Sequence, residues 1–574
     1  MVFADPSQLS SAPNVEAETA YNSGLKFASN GQYDLAIQSF EKATTLDPRH
    51  HKALVAAGDV FVEMGNPLSA ADCFALAINV NGGVRSYKEK FITNIRQHRF
   101  GQRNDDLRGV ILKCLKTDDI LHQDLAPLWL SDLELDRDFK SLLQKLDGNP
   151  SYKIFKKAFE KAQPVFLDDP FFLLGLSRLA VHKKSFENFI KYLRRWCAEQ
   201  GSENCALELL QALADYAFRV EHIFSADEDV EFDPKASLAD LALCAAYEPL
   251  YKRDDAEELL AHYAGEPFLK THIEEPLALQ KRARHIEVLV EIKDGTSKAV
   301  QQQYEDFPYP RWNAFEPLLK NEEIEAPLKG RLIKILIAGC GTGREAIELA
   351  AALPQADVLA IDLSRVSLAY AQAKAEHFGI ENVTFKHADI LELGVLEERF
   401  DYITSSGVLH HMKDPKAGWS VLNGLLKPYG LMRIALYSEQ ARAGIVKSRD
   451  VIAKENIDDD LNGICDFRDN VTALVGAQTQ AYLEKYIDYY YTSECRDLLF
   501  HVQEHRFTLP QIKDILDEFG LAFLGFHLPP AIFDQYHKMY KDDAVGLNLD
   551  HWDAFEGKHP DTFKIMYRFW CRKT

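Results

Sequence analysis

The spacing of apolar positions divides the chain into two parts. Through the first 300 residues, apolar side chains recur every three or four positions, as in Phe186–Trp196 and Ala206–Phe218, which predicts one amphipathic helix after another. After Pro327 the pattern changes to short apolar, β-branched runs separated by helical stretches. The first run, Arg331–Ala338, predicts a strand buried on both faces. Strands that alternate with helices in this way predict an α/β fold with a mainly parallel sheet.

Near the N-terminus, two segments match when one is moved 34 residues along the chain. The matched positions are Gly24, Phe27, Gly31, Ala36, Phe40 and Ala43 in the first segment and Gly58, Phe61, Gly65, Ala70, Phe74 and Ala77 in the second. This period and its pattern of small and aromatic residues resemble the tetratricopeptide repeat, a pair of packed helices. A third copy would need glycine at position 92, where the chain has Ile92, so we expect a helix around Gly83–Arg99 to cap the stack.

These patterns predict three domains. Residues 1–100 form the helical repeats, residues 101–300 form an all-helical middle domain without a chemical motif, and residues 301–574 form the α/β domain. The repeats are interpreted either as a groove for a peptide or partner, or as a structural stack that brings two copies of the chain together. A homodimer is therefore left open.

The first strand of the α/β domain runs directly into a glycine-rich loop. Gly339-Cys340-Gly341-Thr342-Gly343 lies between that strand and a helix beginning at Arg344. Glycines let the backbone approach a ligand where a Cβ atom would collide. A dinucleotide fingerprint would need glycine at position 344, so the arginine there favours a ligand without a pyrophosphate and opposes a reductase that uses NAD.

Two acidic residues follow the next two predicted strands. Asp362 comes directly after the strand 357–361, where a carboxylate can take both hydroxyls of a ribose. Asp389 follows the strand 383–386, where it can accept from an adenine amino group. Either carboxylate alone is more often a helix cap, but the joint spacing favours a nucleoside site. A strand at 400–404, a helix at 415–426 and a strand at 431–436 complete the series.

The ordered motifs AGCGTG, AIDLS, ADI, FDYITSSGVLHHM and LLKPYGLMRIALY resemble those of class I S-adenosylmethionine-dependent methyltransferases. The resemblance implies a Rossmann-like domain with a seven-stranded mixed sheet whose last strand is antiparallel. It also implies S-adenosylmethionine as the cofactor, with S-adenosylhomocysteine as its product. The remaining elements are then the helix Leu509–Phe519, the strand Leu521–Phe526 and the antiparallel strand Thr562–Cys571. Two insertions, at about 437–507 and 528–560, leave the sheet near the acceptor side.

The resemblance also implies a set of cofactor-binding residues. The methionine half would contact the loop, Asp362 the ribose and Asp389 the adenine amino group, with Leu363 and Ile390 beside the adenine ring. The full implied set is Gly339, Cys340, Gly341, Gly343, Asp362, Leu363, Asp389, Ile390, Ser406, Arg311 and Tyr304. Cys340 lies at a helix N-terminus, which lowers a thiol pKa, but a packing role is favoured because small residues are ordinary there.

The segment YEDFPYPRW, residues 304–312, precedes the first strand and resembles a string in uncharacterised bacterial repeat-containing methyltransferases. In related enzymes a segment here closes over the cofactor, which implies that Arg311 pairs with its carboxylate. Two prolines restrict the backbone, so Tyr309 and Trp312 are candidate acceptor contacts. The alternative is a rigid linker whose aromatic side chains pack on the domain.

Histidines supply the candidate catalytic groups. His410 and His411 follow the fourth strand, where acceptor sites lie in the family. One of them is a candidate base or hydrogen-bond partner for the acceptor. The alternative is that they are structural histidines. His501 and His505 belong to the string HVQEH, which matches an inverted zinc-protease motif if it is helical. We expect no metal, because the string lies inside an insertion. Further candidates for the acceptor pocket, or for a polar network that holds the insertion, are Tyr437, Glu439, Arg442, Glu504 and Arg506.

Composition and charge narrow the partners. The 574-residue chain carries a formal net charge of −21, which disfavours nucleic acid as the main partner. It has no apolar stretch long enough to cross a bilayer, and its start lacks the pattern of a secretory signal. Nine cysteines without a CxxC pair favour a reducing, cytoplasmic compartment.

The expected activity is methyl transfer to a protein or peptide that the repeats help to hold. One alternative is a small-molecule acceptor enclosed by the insertions. The non-enzymatic alternative is a repeat-based adaptor with a vestigial cofactor fold, which predicts damaged motifs, and none of the matched motifs is visibly damaged.

Overall fold

The computed structural model describes residues 14–118, 120–148, 150–162, 164, 166–225, 232–304, 312, 314, 315, 328 and 330–574. The chain forms two compact units, one ending at Leu250 and the other beginning at Tyr251. The boundary predicted at residue 300 lies inside the second unit, because the chain before it runs along the sheet edge. The N–H of Leu289 donates to the carbonyl of His387 at 2.9 Å. The division at residue 100 stays a prediction.

Within the described residues of the first unit, every regular element is helical. The α-helices are Val15–Ser29, Tyr33–Leu46, His51–Glu63, Pro67–Val80, Arg85–Ile95, Asp105–Leu115, Ala126–Leu133, Arg137–Lys145, Tyr152–Ala162, Pro170–Arg178, Lys184–Gln200, Leu207–Arg219 and Leu238–Ala245. Each apolar stripe faces inward, as the three- and four-residue spacing requires.

The first four helices pack as two pairs, and the fifth packs on the fourth. Close approach within each pair depends on glycine. A Cβ atom at Gly24 would lie 2.4 Å from the ring of Phe40, and one at Gly58 would lie 2.5 Å from the ring of Phe74. The predicted tetratricopeptide-like pairs of packed helices are confirmed.

The second unit is built on a seven-stranded sheet of order β3-β2-β1-β4-β5-β7-β6. The strands are β1 Ile333–Ala338, β2 Ala356–Asp362, β3 Val383–His387, β4 Phe400–Ser406, β5 Leu426–Leu436, β6 Leu521–Phe526 and β7 Tyr567–Lys573. The first five strands are parallel, and β7 runs antiparallel to both β5 and β6. The predicted mixed sheet with an antiparallel last strand is confirmed.

Helices cover both faces of this sheet, so each face forms a core. One face packs Ile335 and Tyr402 with the helices that follow β1 and β2, and the other packs Leu336 and Ile403 with the helices that precede β5 and β6. The α-helices of the unit are Ala256–His262, Pro267–Leu269, Glu275–Ala283, Gly295–Tyr304, Arg344–Ala352, Arg365–Phe378, Pro415–Leu425, Ala443–Glu455, Leu461–Asp469, Val471–Val475, Ala477–Leu483, Thr492–Cys495, Leu509–Phe519, Pro530–Met539 and Leu549–Glu556. None of the described helices is long and apolar enough to cross a membrane.

Two strands differ in extent from the prediction. The predicted turn at 427–430 is an outward bulge within β5, because Phe400 pairs with Leu426 while Tyr402 already pairs with Leu431. The last strand begins at Tyr567 and not at Thr562, since Phe563 leaves the strand direction to enter the core, where it is 1% exposed.

Candidate active site

A cavity of about 500 Å³ opens at the carboxyl ends of β1, β2 and β4. In open α/β sheets ligands bind in this position, where neighbouring loops diverge. The predicted site residues that line the cavity are Tyr304, Gly339, Cys340, Gly341, Asp362, Leu363, Asp389, Ile390, Ser406 and His411.

The glycine loop is fixed by backbone hydrogen bonds to the end of β2. The N–H groups of Gly339 and Cys340 both donate to the carbonyl of Ile361, at 2.9 and 2.8 Å. Gly339, Gly341 and Gly343 all have positive φ angles, 81°, 51° and 77°. These angles strain residues that carry a Cβ atom, so the loop requires glycine.

The space freed by two of these glycines is occupied by protein. A Cβ atom at Gly339 would lie 2.2 Å from Val408, and one at Gly343 would lie 2.4 Å from the Cβ of Ala371. Gly343 is not among the residues that line the cavity. It permits the loop to sit close to the following helix, so its contribution to a ligand is indirect.

Asp362 ends β2 beside the loop and faces the cavity. Its Oδ2 accepts from the N–H of Gly341 at 2.7 Å, and its Oδ1 accepts from the N–H of Ser364 at 2.8 Å. These two bonds hold the carboxylate in one orientation. A carboxylate oxygen can accept more than one hydrogen bond, so a carboxylate in this position suits a pair of ligand hydroxyls.

Asp389 follows β3 and is 2% exposed. Its Oδ1 accepts from the N–H of Leu391 at 3.0 Å, whereas its Oδ2 is buried without a hydrogen-bond partner in the described part of the chain. Burial raises the pKa of this carboxyl. A buried acceptor oxygen left open at the cavity wall fits a ligand amino group, since an unpaired buried acceptor is costly.

The loop, Asp362 and Asp389 therefore fit S-adenosylmethionine. The glycine loop lets a ligand approach the backbone closely, Asp362 provides oriented acceptors, and Asp389, whose Oδ2 has no partner among the described residues, lines the cavity beside Ile390. Burial raises the pKa of the Cys340 thiol well above its usual value, because the surroundings penalise the thiolate. That shift agrees with a packing role for Cys340.

A second cluster of polar groups reaches the cavity from the other side. His411 lines the cavity, and its ring stacks on that of His501 with centroids 3.7 Å apart. Behind them Asp497 accepts a hydrogen bond from the hydroxyl of Tyr304. The Oδ1 of Asp497 lies 3.8 Å from Nε2 of His411 and 4.0 Å from Nε2 of His501. Burial lowers the pKa of both histidines, so both rings are neutral at physiological pH.

The tautomers of the two histidines follow from Gln503. Nδ1 of His411 lies 2.8 Å from the Gln503 carbonyl and must donate to it, so its Nε2 has a free lone pair. Nδ1 of His501 accepts from the Gln503 N–H at 3.1 Å, so its Nε2 carries the proton. Ligand atoms of His411, Asp497 and His501 lie within 4.8 Å of one another, but only two of the three offer a lone pair in this arrangement. The absence of a metal stays a prediction.

The string HVQEH is not helical. The preceding π-helix, Arg496–Phe500, ends before His501. The chain then runs beside the ends of β4 and β5, with the N–H of His505 donating to the carbonyl of His410 at 2.7 Å. The two histidines of the string therefore do not share a helix face, and the geometry of a zinc-protease helix is absent here.

The other predicted polar residues form a network that lies outside the cavity lining. Arg442 and Glu504 form a bidentate ion pair, in which Nε and Nη2 of the arginine donate to Oε1 and Oε2 of the glutamate at 3.2 and 2.7 Å. Their side chains are 2% and 1% exposed. Arg442 lies over the ring of Tyr437, which in turn stacks on His410 at 3.8 Å. The outer members of the network are Arg506 and Glu439, which pair at 3.1 Å. This network fastens the first insertion to the sheet.

Trp312 lies in the core and not at the cavity. Its ring stacks on Phe378, and its Nε1 donates to the carbonyl of Thr342 at 3.1 Å. The predicted acceptor contact by Trp312 is therefore corrected to support of the glycine loop from behind. Tyr309 and Arg311 lie outside the described residues.

Several cavity residues had no signal in the sequence reasoning. Ser297 and Val300 come from the helix Gly295–Tyr304, and Arg433 and Arg568 come from β5 and β7. The alternation of the last strand could have shown that Arg568 points to the opposite face from Phe569. Asp497 stands far from His411 in the chain, and no local pattern connects them.

Together the fold and the site define a class I methyltransferase that uses S-adenosylmethionine. A methyltransferase-domain family matches residues 330–489, and a tetratricopeptide-repeat family matches residues 17–50. An uncharacterised protein of Synechococcus is 30% identical over 312 residues, which cover 46% of this chain and 73% of that protein. The chain therefore belongs to the same family as this Synechococcus protein, and it carries a methyltransferase domain together with a tetratricopeptide repeat.

Shorter matches cover the catalytic core alone. An uncharacterised methyltransferase of Mycobacterium tuberculosis is 32% identical over 103 residues, which are 18% of this chain and 50% of that protein. A ubiquinone biosynthesis O-methyltransferase of Cereibacter sphaeroides is 30% identical over 112 residues, 20% of this chain and 44% of that enzyme. Each of these matches thus spans half or less of the relative.

Proposed function

We propose that this enzyme methylates a protein or peptide that the helical repeats help to hold. The observation that carries the proposal is the pair of tetratricopeptide-like helix hairpins, with Gly24 against Phe40 and Gly58 against Phe74. Stacks of such hairpins form concave surfaces that suit extended peptides. The acceptor is then selected by two parts of one chain, the repeats and the insertions around the catalytic cavity.

The cofactor is held by residues at the ends of β1, β2 and β3. The loop 339–343 takes the methionine half, Asp362 takes the ribose hydroxyls, and Asp389 takes the adenine amino group. When bound, S-adenosylmethionine supplies a methyl group on a positively charged sulfur. The residues around it orient the acceptor and exclude water, which accounts for much of the catalysis of a displacement.

His411 accepts the proton that an amine or hydroxyl acceptor loses. The carbonyl of Gln503 fixes the ring so that the lone pair of Nε2 is free, and this atom is buried without a hydrogen-bond partner among the described residues. Burial lowers the His411 pKa, so the ring stays a base at pH values below its ordinary 6.5. His501, whose ring stacks on that of His411 at 3.7 Å, acts as a positioning residue.

Radiolabelled S-adenosylmethionine distinguishes the acceptor classes. The full-length enzyme is incubated with native lysate, and label is counted in macromolecules and in small molecules separately. We expect label in a protein band, abolished by Asp362→Asn. That variant should also weaken S-adenosylhomocysteine by at least about tenfold in calorimetry, because it removes a charged acceptor. Label found only in small molecules would contradict the protein acceptor while leaving the methyltransferase intact.

His411→Gln tests the proposed base. Transfer should slow by about 10²–10⁴-fold at saturating acceptor, with S-adenosylhomocysteine affinity unchanged. In the wild type, the rate should stay level as pH falls through 6.5 and decline only at lower pH. An acidic limb centred at 6.5, or full activity of His411→Gln, would refute this role.

A small-molecule acceptor is the second candidate, and burial of the cluster favours it. His411 is 6% exposed and Asp497 is also 6% exposed, so the proton acceptor sits beneath the insertion helices. A small molecule fits such an enclosed place, as the name of the ubiquinone biosynthesis relative illustrates. The labelling experiment above decides between the two acceptors.

A further inference from the structure

An arginine that has no acidic partner among the described residues lines the catalytic cavity. Arg568, the second residue of β7, lines the cavity and makes neither a side-chain hydrogen bond nor an ion pair with any residue in the described ranges. The neighbouring cation Arg433 is neutralised by Glu345 at 2.5 Å. Partial burial, with Arg433 nearby, lowers the Arg568 pKa. A half-buried guanidinium without a counter-charge is unfavourable, which leaves this position suited to an anion.

The strand order places Arg568 away from the cofactor loop. Ser406 of β4 pairs with Ala435 of β5, and Ala435 pairs with Arg568 of β7, so the three side chains share one row and one face of the sheet. The loop 339–343 follows β1, which lies three strands from β7 in the order β1-β4-β5-β7. At about 4.8 Å per strand, roughly 14 Å separate the two strands. A methionine half bound at the loop therefore leaves Arg568 on the acceptor side.

We propose that Arg568 binds a carboxylate of the methyl acceptor. A guanidinium presents two parallel N–H donors that match a carboxylate, and such bonds are stronger and more directional than those of lysine. Trp570, two residues further along β7 and on the same face, also lines the cavity. The proposal rests on the methyltransferase function and names one chemical feature of its substrate.

Succinate and its uncharged diamide, succinamide, are suitable probes. Each is titrated into full-length enzyme saturated with S-adenosylhomocysteine, and binding is followed by calorimetry or by tryptophan fluorescence. Succinate should bind and succinamide should not. Arg568→Gln should weaken succinate at least tenfold, about 1.4 kcal/mol, whereas Arg568→Lys should keep part of the affinity. Arg572→Gln is the matched control, because Arg572 lies exposed on the same strand and should leave binding unchanged.

A second measurement separates the acceptor from the cofactor. Affinities of Arg568→Gln for S-adenosylhomocysteine and for 5′-methylthioadenosine, which lacks the amino-acid half, should both equal those of the wild type. Label transfer at limiting lysate should fall at least tenfold. Loss of S-adenosylhomocysteine affinity alone would assign the carboxylate to the cofactor and overturn the proposal, as would succinate binding that Arg568→Gln leaves intact.

Failure of the proposed methyltransferase function would give different results from failure of the carboxylate site. In that case the wild type would bind no S-adenosylhomocysteine or transfer no label, whatever its affinity for succinate. A wild type that transfers label, together with an Arg568→Gln variant that transfers it equally well at limiting lysate, would reject the carboxylate site alone.

Discussion

His410 makes the stability of the second unit depend on pH. The ring is fully buried, stacks on Tyr437, and has no hydrogen-bond partner at either nitrogen within the described residues. Burial, with the cation Arg442 nearby, lowers the pKa of His410 well below 6.5. Because the unfolded chain then binds more protons, this contribution is complete above about pH 6.5 and is lost as pH falls towards the folded pKa. At pH 5.5 the loss amounts to about 1.4 kcal/mol.

Replacing His410 by Phe removes this term while keeping a ring against Tyr437. We expect the free energy of unfolding of His410→Phe to fall less than that of the wild type between pH 7.5 and 5.5, by about 1.4 kcal/mol. Urea unfolding at several pH values measures the free energy of unfolding of both proteins. The carboxyl groups with a raised pKa are present in both, so their contribution cancels in the difference between variant and wild type. Ile434→Val, a buried change without a titrating group, should shift stability equally at each pH. Parallel pH profiles for wild type and His410→Phe would refute the reasoning.

Three further changes test the packing that positions the site. Gly343→Ala should lower stability by about 2 kcal/mol or more in calorimetric unfolding, because its Cβ would lie 2.4 Å from Ala371 at a positive φ angle. Glu504→Gln should destabilise by about 3–5 kcal/mol in urea titration, since it leaves the buried charge of Arg442 without its partner. Gly58→Ala should lower the helical unfolding midpoint without changing S-adenosylhomocysteine affinity, because its Cβ meets a phenylalanine ring. Unchanged stability of any of these variants would mean that the close contact relaxes at little cost.

The sequence predicted the sheet well because its central strands are short, mostly buried apolar runs between turns. Ile333–Ala338 has no polar alternation to confuse the assignment, and the glycine loop after it marks its end. The helix Leu509–Phe519 was found with its bounds because Thr508 and Gln511 form a capping box at its start. Strong local signals of this kind do not depend on the rest of the chain.

The acceptor side was predicted less well because its geometry depends on contacts between distant segments. His410 and His411 are adjacent, yet only His411 lines the cavity, while His410 turns towards Tyr437. The direction of the His411 ring is set by Gln503, which lies in the insertion, and no periodicity in either segment shows this contact. The contact of Leu289 with the sheet edge had no sequence signal for the same reason, since it is made through backbone hydrogen bonds that leave no side-chain pattern.

The sheet order separates the residues proposed to bind the cofactor from those proposed to bind the acceptor. The groups proposed for the cofactor come from the ends of β1, β2 and β3, whereas those proposed for the acceptor come from β4, β7 and the first insertion. Glycine conformation and backbone hydrogen bonds fix the first set, so substitution there affects every methyl transfer equally. The second set rests on side chains such as His411 and Arg568, which can change without disturbing the loop at Gly341. Variants of β7 and of the insertion should therefore alter which acceptor is methylated while affinity for S-adenosylhomocysteine stays constant, and a loss of both together would show that the two halves are not separable.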